Sequence, residues 1–288
     1  MSSAVSMLRP GDEVDAVFAC TRKDRLITKT GSPYLALELR DRSGSLAARA
    51  FRNADALAGR FERGDLVRAS GTVERFRDEL VLEVSDVARV EDADPASFLP
   101  TAYRDLDELD GFLEHLGREV YDAGYRALLD SLLSDSSVRA DLRRAPCTRA
   151  GHHAYVGGLL EHTVAVATLA HELCQLKPRL NSDLLLTASV VHDIGRTREF
   201  TYSADFGLTP EGELLGHVVI GMQMLSARAE AARLDEVRRL ALLHCVLCHH
   251  GPSLAPGGKF GSAEAAALYR LNALDAGVGG ASERGLRA

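Results

Sequence analysis

The sequence predicts an α+β protein in which a small β-barrel is followed by an all-α domain. Residues 11 to about 92 alternate apolar and polar side chains with a period of two, which is typical of half-buried strands. From about residue 102 the period changes to 3.6 residues, the repeat of an amphipathic helix. A chain of 288 residues is also long enough to form two hydrophobic cores.

The predicted strands are separated by turn sequences, and residues 34–39 and 80–84 show the clearest alternation. About five short strands at this spacing favour a barrel within residues 1–92. Residues 93–104, which contain two prolines, are predicted to link this barrel to a helical domain over residues 105–288. The turns lie at residues 30–33, 41–44, 63–65 and 70–71.

Apolar stripes at helical spacing run through the second half of the chain. The sequence Thr209-Pro210-Glu211 predicts a helix start, because a capping hydroxyl precedes a proline and an acid. The predicted helices cover about residues 105–117, 118–133, 135–144, 153–176, 183–195, 211–230, 234–248 and 262–276.

The composition, with 46% hydrophobic and 26% charged residues, is that of an ordinary globular protein. A net charge of −7 gives no overall basic signal for nucleic acid, although a groove can still be locally basic. Five scattered cysteines indicate reduced thiols, and neither a signal peptide nor an apolar run of about 18 residues is found. We therefore expect a cytoplasmic protein without a membrane partner.

Histidines on the apolar faces of separate predicted helices indicate a metal site. His162, His192 and His217 each lie among apolar residues at helical spacing, and His249-His250 end a fourth helix. One inward histidine is more often a satisfied core residue, but four helices that each deliver an imidazole favour a ligand. Asp193 adds a carboxylate beside His192. Mixed imidazole and carboxylate donors suit Mn, Fe, Zn or Ni.

Four motifs in this half of the chain resemble those of a known enzyme family. They are residues 152–163 (HHAYVGGLLEHT), 192–196 (HDIGR), 216–217 (GH) and 249–251 (HHG). In this combination they resemble the YhaM-type 3′→5′ exoribonucleases, which join an N-terminal OB-fold to a domain of the HD phosphohydrolase superfamily. The resemblance covers nearly the whole chain. It implies that the barrel is an OB-fold nucleic-acid-binding domain and the helical domain an HD-type metal-dependent phosphohydrolase.

The resemblance also implies a metal centre that hydrolyses phosphodiesters, with Asp193 as the shared carboxylate. One or two divalent transition-metal ions are implied, with Mn²⁺ expected and Fe, Ni, Co and Zn as alternatives. Arg196 stands where the superfamily often has lysine, and it would either clamp phosphate or neutralise an exposed helix end. Asp193 and Arg196 are accordingly the predicted catalytic residues. The implied metal ligands are His162, His192, Asp193, His217 and either His249 or His250.

The final helix departs from the family pattern. Asn272 stands where the family has an aspartate ligand, and Tyr269 stands where it has a histidine. An amide oxygen can coordinate a metal ion, but it carries no charge. Asp275 lies three residues further along and near the same face, so it is the alternative ligand, with an outer-sphere or surface role as the other interpretation.

A separate motif, Cys245-Val246-Leu247-Cys248-His249, has the spacing used for covalent haem attachment. Zinc binding by Cys245, Cys248 and the two adjacent histidines is a second alternative. The segment continues an apolar helix, which favours buried structural cysteines.

Aromatic and basic residues are interleaved in the barrel, a pattern typical of single-strand binding by base stacking and backbone attraction. Acidic residues dilute this pattern, so a solvated charged surface is the alternative for each position. The candidate nucleic-acid-binding residues are Arg22, Lys23, Arg25, Tyr34, Phe51, Arg75 and Phe76.

The predicted function is metal-dependent 3′→5′ hydrolysis of single-stranded RNA, or of DNA, with the barrel holding the strand. One alternative is an HD-domain nucleotide phosphohydrolase. Another is a nucleic-acid-binding protein whose metal site has degenerated through Asn272. Assembly into a homo-oligomer is a further expectation.

Overall fold

A computed structural model describes residues 4–283 of the chain. The chain divides into two compact units. The described part of the first unit runs to Pro100 and includes residues 202–207, and the second holds residues 101–201 and the chain from Leu208 onward. The first unit is a β-barrel and the second is helical, so the predicted fold class is confirmed.

The first unit is a closed barrel of five strands in the order β1-β2-β3-β5-β4. All neighbouring strands are antiparallel except β3 and β5, which pair in parallel. The predicted alternation buries Leu35, Leu37 and Leu39 on one face of β2. The elements are β1 (Glu13–Ile27), β2 (Pro33–Asp41), β3 (Gly44–Ala50), a short helix α1 (Ala54–Ala58), β4 (Leu66–Phe76) and β5 (Glu79–Arg89).

The second unit contains a counterpart of every predicted helix. Three predicted helices are shorter in the structure, because two begin only at Ala123 and Gly158 and one ends at Val191. The elements are α2 (Leu106–Arg118), α3 (Ala123–Leu133), α4 (Ser136–Arg144), α5 (Gly158–Leu176), α6 (Ser182–Val191), α7 (Arg196–Glu199), the strands β6 (Phe200–Tyr202) and β7 (Phe206–Leu208), α8 (Pro210–Ala231), α9 (Glu236–Cys248) and α10 (Ala263–Glu283).

Side-chain caps fix where most of these helices begin. Thr209 Oγ1 accepts a hydrogen bond from the amide of Gly212 at 2.9 Å and Pro210 follows it, which confirms the predicted start of α8. The same use of an oxygen to satisfy first-turn amides recurs at the starts of α2, α3, α4, α6 and α9. The caps there are Asp105, Asp122, Asp135, Asn181 and Asp235.

The core of the helical unit is centred on α5 and α6. Every residue of α6 from Leu184 to Val191 is buried, and α5 buries Leu159, Leu160 and Val166. The helix α6 therefore ends in the interior and α5 passes through it, and polar side chains there need partners. Among the described residues, no helix combines the length and apolar character needed to cross a membrane.

Candidate metal centre

Separate elements bring a carboxylate and several imidazoles to one place in the helical unit. His162 lies on α5, and His192 and Asp193 follow directly after α6. His217 comes from α8, and His249 from the end of α9. All but His217 are at most 2% exposed, whereas His217 is half-buried. Buried polar groups of this kind need partners or a ligand.

Two glycines allow the chain to reach this geometry. A Cβ at Gly195 would lie 2.0 Å from the carbonyl oxygen of His217, so only glycine lets the turn after Asp193 approach α8. Gly216 has φ +69° and interrupts α8, so His217 starts a new helical segment. The backbone amide of His217, at the start of this segment, donates to Glu199 Oε1 at 3.1 Å.

The two oxygens of Asp193 face two different groups of histidine nitrogens. Oδ2 lies 3.8 Å from His162 Nε2 and 3.7 Å from His192 Nε2, and these nitrogens are 3.2 Å apart. We call this group cluster A. Oδ1 lies 3.3 Å from His217 Nε2 and 3.2 Å from His249 Nε2. These residues and His250, whose Nε2 is 2.9 Å from His217 Nε2, form cluster B.

In His162, His192, His217 and His249, Nδ1 contacts an oxygen that cannot donate a proton. Each Nδ1 therefore carries the hydrogen, and each Nε2 presents a lone pair to the cluster. The acceptors are Asp275 Oδ2 for His162 (2.6 Å), the Ser189 carbonyl for His192 (2.8 Å), Glu199 Oε1 for His217 (3.3 Å) and the Val246 carbonyl for His249 (2.5 Å).

Lone pairs that face one another at hydrogen-bond distance repel unless a cation lies among them. His162 Nε2 and His192 Nε2 are such a pair in cluster A. In cluster B, Asp193 Oδ1 and His249 Nε2 are buried and have no hydrogen-bond partner among the described residues, although they lie 3.2 Å apart. These orphaned atoms fit divalent metal ions, and the donors in both clusters are nitrogen and carboxylate oxygen.

Arg196 holds the shared carboxylate in its charged form. Its Nε donates to Asp193 Oδ2 at 2.7 Å, and its Nη1 donates to Glu199 Oε2 at 3.3 Å. Burial by itself would raise the pKa of Asp193, but the adjacent guanidinium of Arg196 holds that pKa well below its usual value. Arg196 is only 8% exposed, so it does not lie at an exposed helix end.

Comparison with known proteins identifies both units. The HD domain family matches residues 159–277, and the OB-fold nucleic acid binding domain family matches residues 19–90. The 3′-5′ exoribonuclease YhaM of Bacillus subtilis is 27% identical over 254 residues, which are 87% of this chain and 80% of that protein. The Listeria innocua YhaM is 26% identical and covers 93% of this chain and 86% of its own. The resemblance to the YhaM-type exoribonucleases is confirmed.

Among solved structures, the HD domain of the Listeria monocytogenes phosphodiesterase PgpH matches 50% of this chain and 74% of its own. The two are 22% identical, with a TM-score of 0.30.

The two polar residues predicted on the last helix of the HD domain occupy different places. Asn272 is buried, and its Nδ2 donates to the backbone carbonyl of His249 at 3.1 Å. Asp275 Oδ2 lies 2.6 Å from His162 Nδ1 and 3.0 Å from His153 Nε2. Asp275 thus contacts the side of His162 that faces away from cluster A.

The helical unit also contains residues near the clusters that sequence reasoning did not single out. Glu199 holds His217, and His153 contacts Asp275. Cys147 Sγ is fully buried, 3.6 Å from His152 Nε2 and 3.9 Å from Asp193 Oδ2. Two of these histidines belong to the 152–163 motif, but no helical periodicity indicates their direction.

The cysteines of the haem-like motif lie away from both clusters. Cys245 and Cys248 are buried free thiols, and Cys248 Sγ lies 3.8 Å from His244 Nδ1. Within residues 4–283, no group of side chains able to hold a metal includes either cysteine. Burial raises the pKa of Cys245 to about 12, which makes its thiolate hard to form.

The predicted nucleic-acid-binding residues of the OB-fold barrel fall into two groups, paired cations and accessible side chains. Three cations are paired with carboxylates: Arg22 with Asp24 (2.5 Å), Lys23 with Glu62 (3.0 Å) and Arg25 with Asp55 (2.7 Å). The aromatic residues are accessible instead. Tyr34 stacks on Phe51 with ring centroids 5.3 Å apart, Phe76 lies under the Arg49 guanidinium at 4.3 Å, and Arg75 is exposed.

Proposed function

We propose that this protein is a metal-dependent 3′→5′ exoribonuclease that hydrolyses the phosphodiesters of single-stranded RNA. The observation that carries the proposal is the Asp193 carboxylate, which faces two clusters of histidine nitrogens with one oxygen each. Two adjacent metal sites of this kind are a recurring solution for phosphoryl transfer. The names of the relatives supply the substrate class.

Each of the two units is proposed to have its own function. We propose residues 1–92 as the nucleic-acid-binding domain, 93–104 as the linker and 105–288 as the hydrolase. Metal ligation is proposed for the residues of both clusters. Of the two residues predicted on the last helix, Asn272 stays the candidate ligand, whereas Asp275 contacts the Nδ1 side of His162. A cytoplasmic location and a homo-oligomeric state stay predictions.

The side chains of the HD domain prepare the site for phosphate chemistry. Bound divalent ions would neutralise phosphate oxygens and make a water molecule more acidic. Asp193 supplies the negative charge that both clusters share, and Arg196 fixes its orientation through the 2.7 Å hydrogen bond. Glu199 receives hydrogen bonds from Arg196 and from the backbone amide and Nδ1 of His217, so it couples these two residues. The donor set favours Mn²⁺, with Fe, Ni, Co and Zn as alternatives.

The direct test uses the full chain, Mn²⁺ and a single-stranded RNA labelled at its 5′ end. We expect a ladder of labelled products that shortens stepwise from the 3′ end, no products in the presence of a chelator, and recovery when Mn²⁺ is restored. Internal cuts from the earliest times would contradict an exonuclease. Hydrolysis of free nucleotides without attack on RNA would favour the nucleotide phosphohydrolase. Metal binding without either reaction would favour a binding protein.

The barrel is proposed to hold the strand through its accessible aromatic rings. The paired cations Arg22, Lys23 and Arg25 already have carboxylate partners, which lowers their attraction for phosphate. Phe51 and Phe76 are 48% and 44% exposed, and each has a companion that a base can join, Tyr34 or Arg49. Stacking on such rings accepts every base.

Replacing Phe51 or Phe76 by alanine is expected to weaken the binding of single-stranded oligonucleotides. The loss of about 1–3 kcal/mol per stacked base corresponds to a roughly 5- to 150-fold rise in Kd. Fluorescence anisotropy measures the Kd, and hydrolysis of a small phosphodiester should stay unchanged. Met7→Ala, which truncates an exposed apolar residue before β1, is the matched control. Equal losses on both substrates would indicate a folding role for the rings.

A further inference from the structure

We infer that Asp275 positions His162 from outside the metal coordination sphere, and that His153 holds Asp275 in that place. The inference rests on the proposed metal centre and states what the last helix contributes to that centre. Asp275 is thereby a positioning residue and not a ligand.

The first support is the length of the contact between Asp275 and His162. Two atoms bound to one ion at about 2.0–2.2 Å and at right angles lie about 3 Å apart. Asp275 Oδ2 and His162 Nδ1 are 2.6 Å apart, the distance of a charge-assisted hydrogen bond. The contact also uses Nδ1, whereas His162 Nε2 faces His192 and Asp193 in cluster A. A carboxylate in this position fixes the tautomer of a metal-binding histidine.

The second support is a hydrogen-bonded chain behind Asp275. His153 Nε2 lies 3.0 Å from the same Oδ2, and His153 Nδ1 lies 2.6 Å from Tyr155 Oη. Tyr155 Oη in turn donates to Glu161 Oε2 at 2.7 Å. His153 is 7% exposed and has φ +51°, a left-handed conformation that non-glycine residues rarely adopt. The surrounding fold therefore maintains a costly conformation that points His153 at Asp275.

The third support is that Asp275 Oδ2 contacts two histidines at once, His162 Nδ1 at 2.6 Å and His153 Nε2 at 3.0 Å. A carboxylate held on the outer side of a metal-binding histidine strengthens the electron donation of its Nε2.

The test compares metal binding by the full-length protein and its variants, with Mn²⁺ alone as the probe. Asp275→Ala should raise the Kd for Mn²⁺ by about 10- to 100-fold while the number of ions bound at saturation stays the same. Asp275→Asn should raise the Kd for Mn²⁺ less, because its amide oxygen still accepts the hydrogen bond from His162. This variant can also be measured if the alanine variant fails to fold. His153→Ala should show a smaller rise in Kd than Asp275→Ala. Asp130→Asn, an exposed acid on α3, is the charge control.

A spectroscopic readout separates positioning from a merely structural role. Nitrogen-15 NMR of the metal-free protein should show His162 with its proton on Nδ1, and Asp275→Ala should shift the population toward the Nε2-protonated tautomer. A drop of one bound ion in Asp275→Asn, or an unchanged tautomer and Kd in Asp275→Ala, would overturn the inference. If His162→Ala leaves Mn²⁺ binding unchanged, the metal centre itself is wrong. If the protein binds Mn²⁺ as described but does not hydrolyse RNA, only the proposed activity is refuted.

Discussion

Replacing Asp193 by alanine is expected to empty both metal clusters and to abolish hydrolysis. Each oxygen of this carboxylate faces a different set of histidine nitrogens, so one substitution removes the only shared anionic donor seen in the described site. The loss of activity should exceed the ~100-fold typical for an outer-sphere partner. Metal content after purification without chelator and the rate of RNA hydrolysis are the two measurements.

Asp193→Asn is the companion variant because it keeps the size of the side chain. It leaves the guanidinium of Arg196 buried beside a neutral group, which destabilises the fold. Circular dichroism is therefore needed to check that both variants are folded. Asp183→Ala, which alters an aspartate in the first turn of α6, serves as the control. Retention of one tightly bound ion by Asp193→Ala would show that the clusters do not depend on a common carboxylate.

The metal-free protein is expected to lose stability as the pH falls below about 6.5. Burial lowers the pKa of His192 well below its usual value of 6.5 in the folded state. The unfolded chain therefore binds more protons than the folded chain below that pH, and the free energy of unfolding falls by up to about 1.4 kcal/mol per pH unit for such a group. The pKa of Asp193 is also lowered, but its contribution is lost only as the pH falls through about 4 and below.

Thermal unfolding in the presence of a chelator at pH 7.5, 6.5 and 5.5 measures this effect. Tm should fall across the series, and the Tm of His192→Asn should fall less steeply because one of the histidines with a lowered pKa has been removed; His152 and His250 remain. His115→Asn, at an exposed position near the end of α2, should follow the parent protein. A Tm that is constant from pH 7.5 to 5.5 would contradict the expected linkage.

Periodicity made the long elements of this fold predictable. The alternation in β2 and the stripes of α5 and α9 reflect burial that each segment needs on its own account. Short elements of three to five residues are too short to show a repeat, so α1, α7 and the strands β6 and β7 were not predicted. The predicted helix from 153 also began too early, since residues 153–157 form a turn that includes the left-handed His153.

The candidate site was predictable where its residues lie on helices and less so where they lie between them. His162 and His217 were found from the faces of their helices, but the contact of His153 with Asp275 joins residues that are 122 positions apart. No spacing rule describes such a contact. The same holds in the barrel, where Lys23 finds its carboxylate partner in Glu62, 39 residues further along the chain.

A single carboxylate that serves two neighbouring clusters has a consequence for how they fill. An ion bound at one side of Asp193 withdraws electron density from the whole group, so the second ion meets a weaker donor and a nearby positive charge. That same first ion also fixes the orientation in which the other oxygen points across the site. The clusters also differ in their donors, with two histidines in cluster A and three in cluster B, so their affinities for metal differ and a singly loaded form persists over a range of metal concentrations. Cellular metal supply would in this way set the fraction of molecules ready to act.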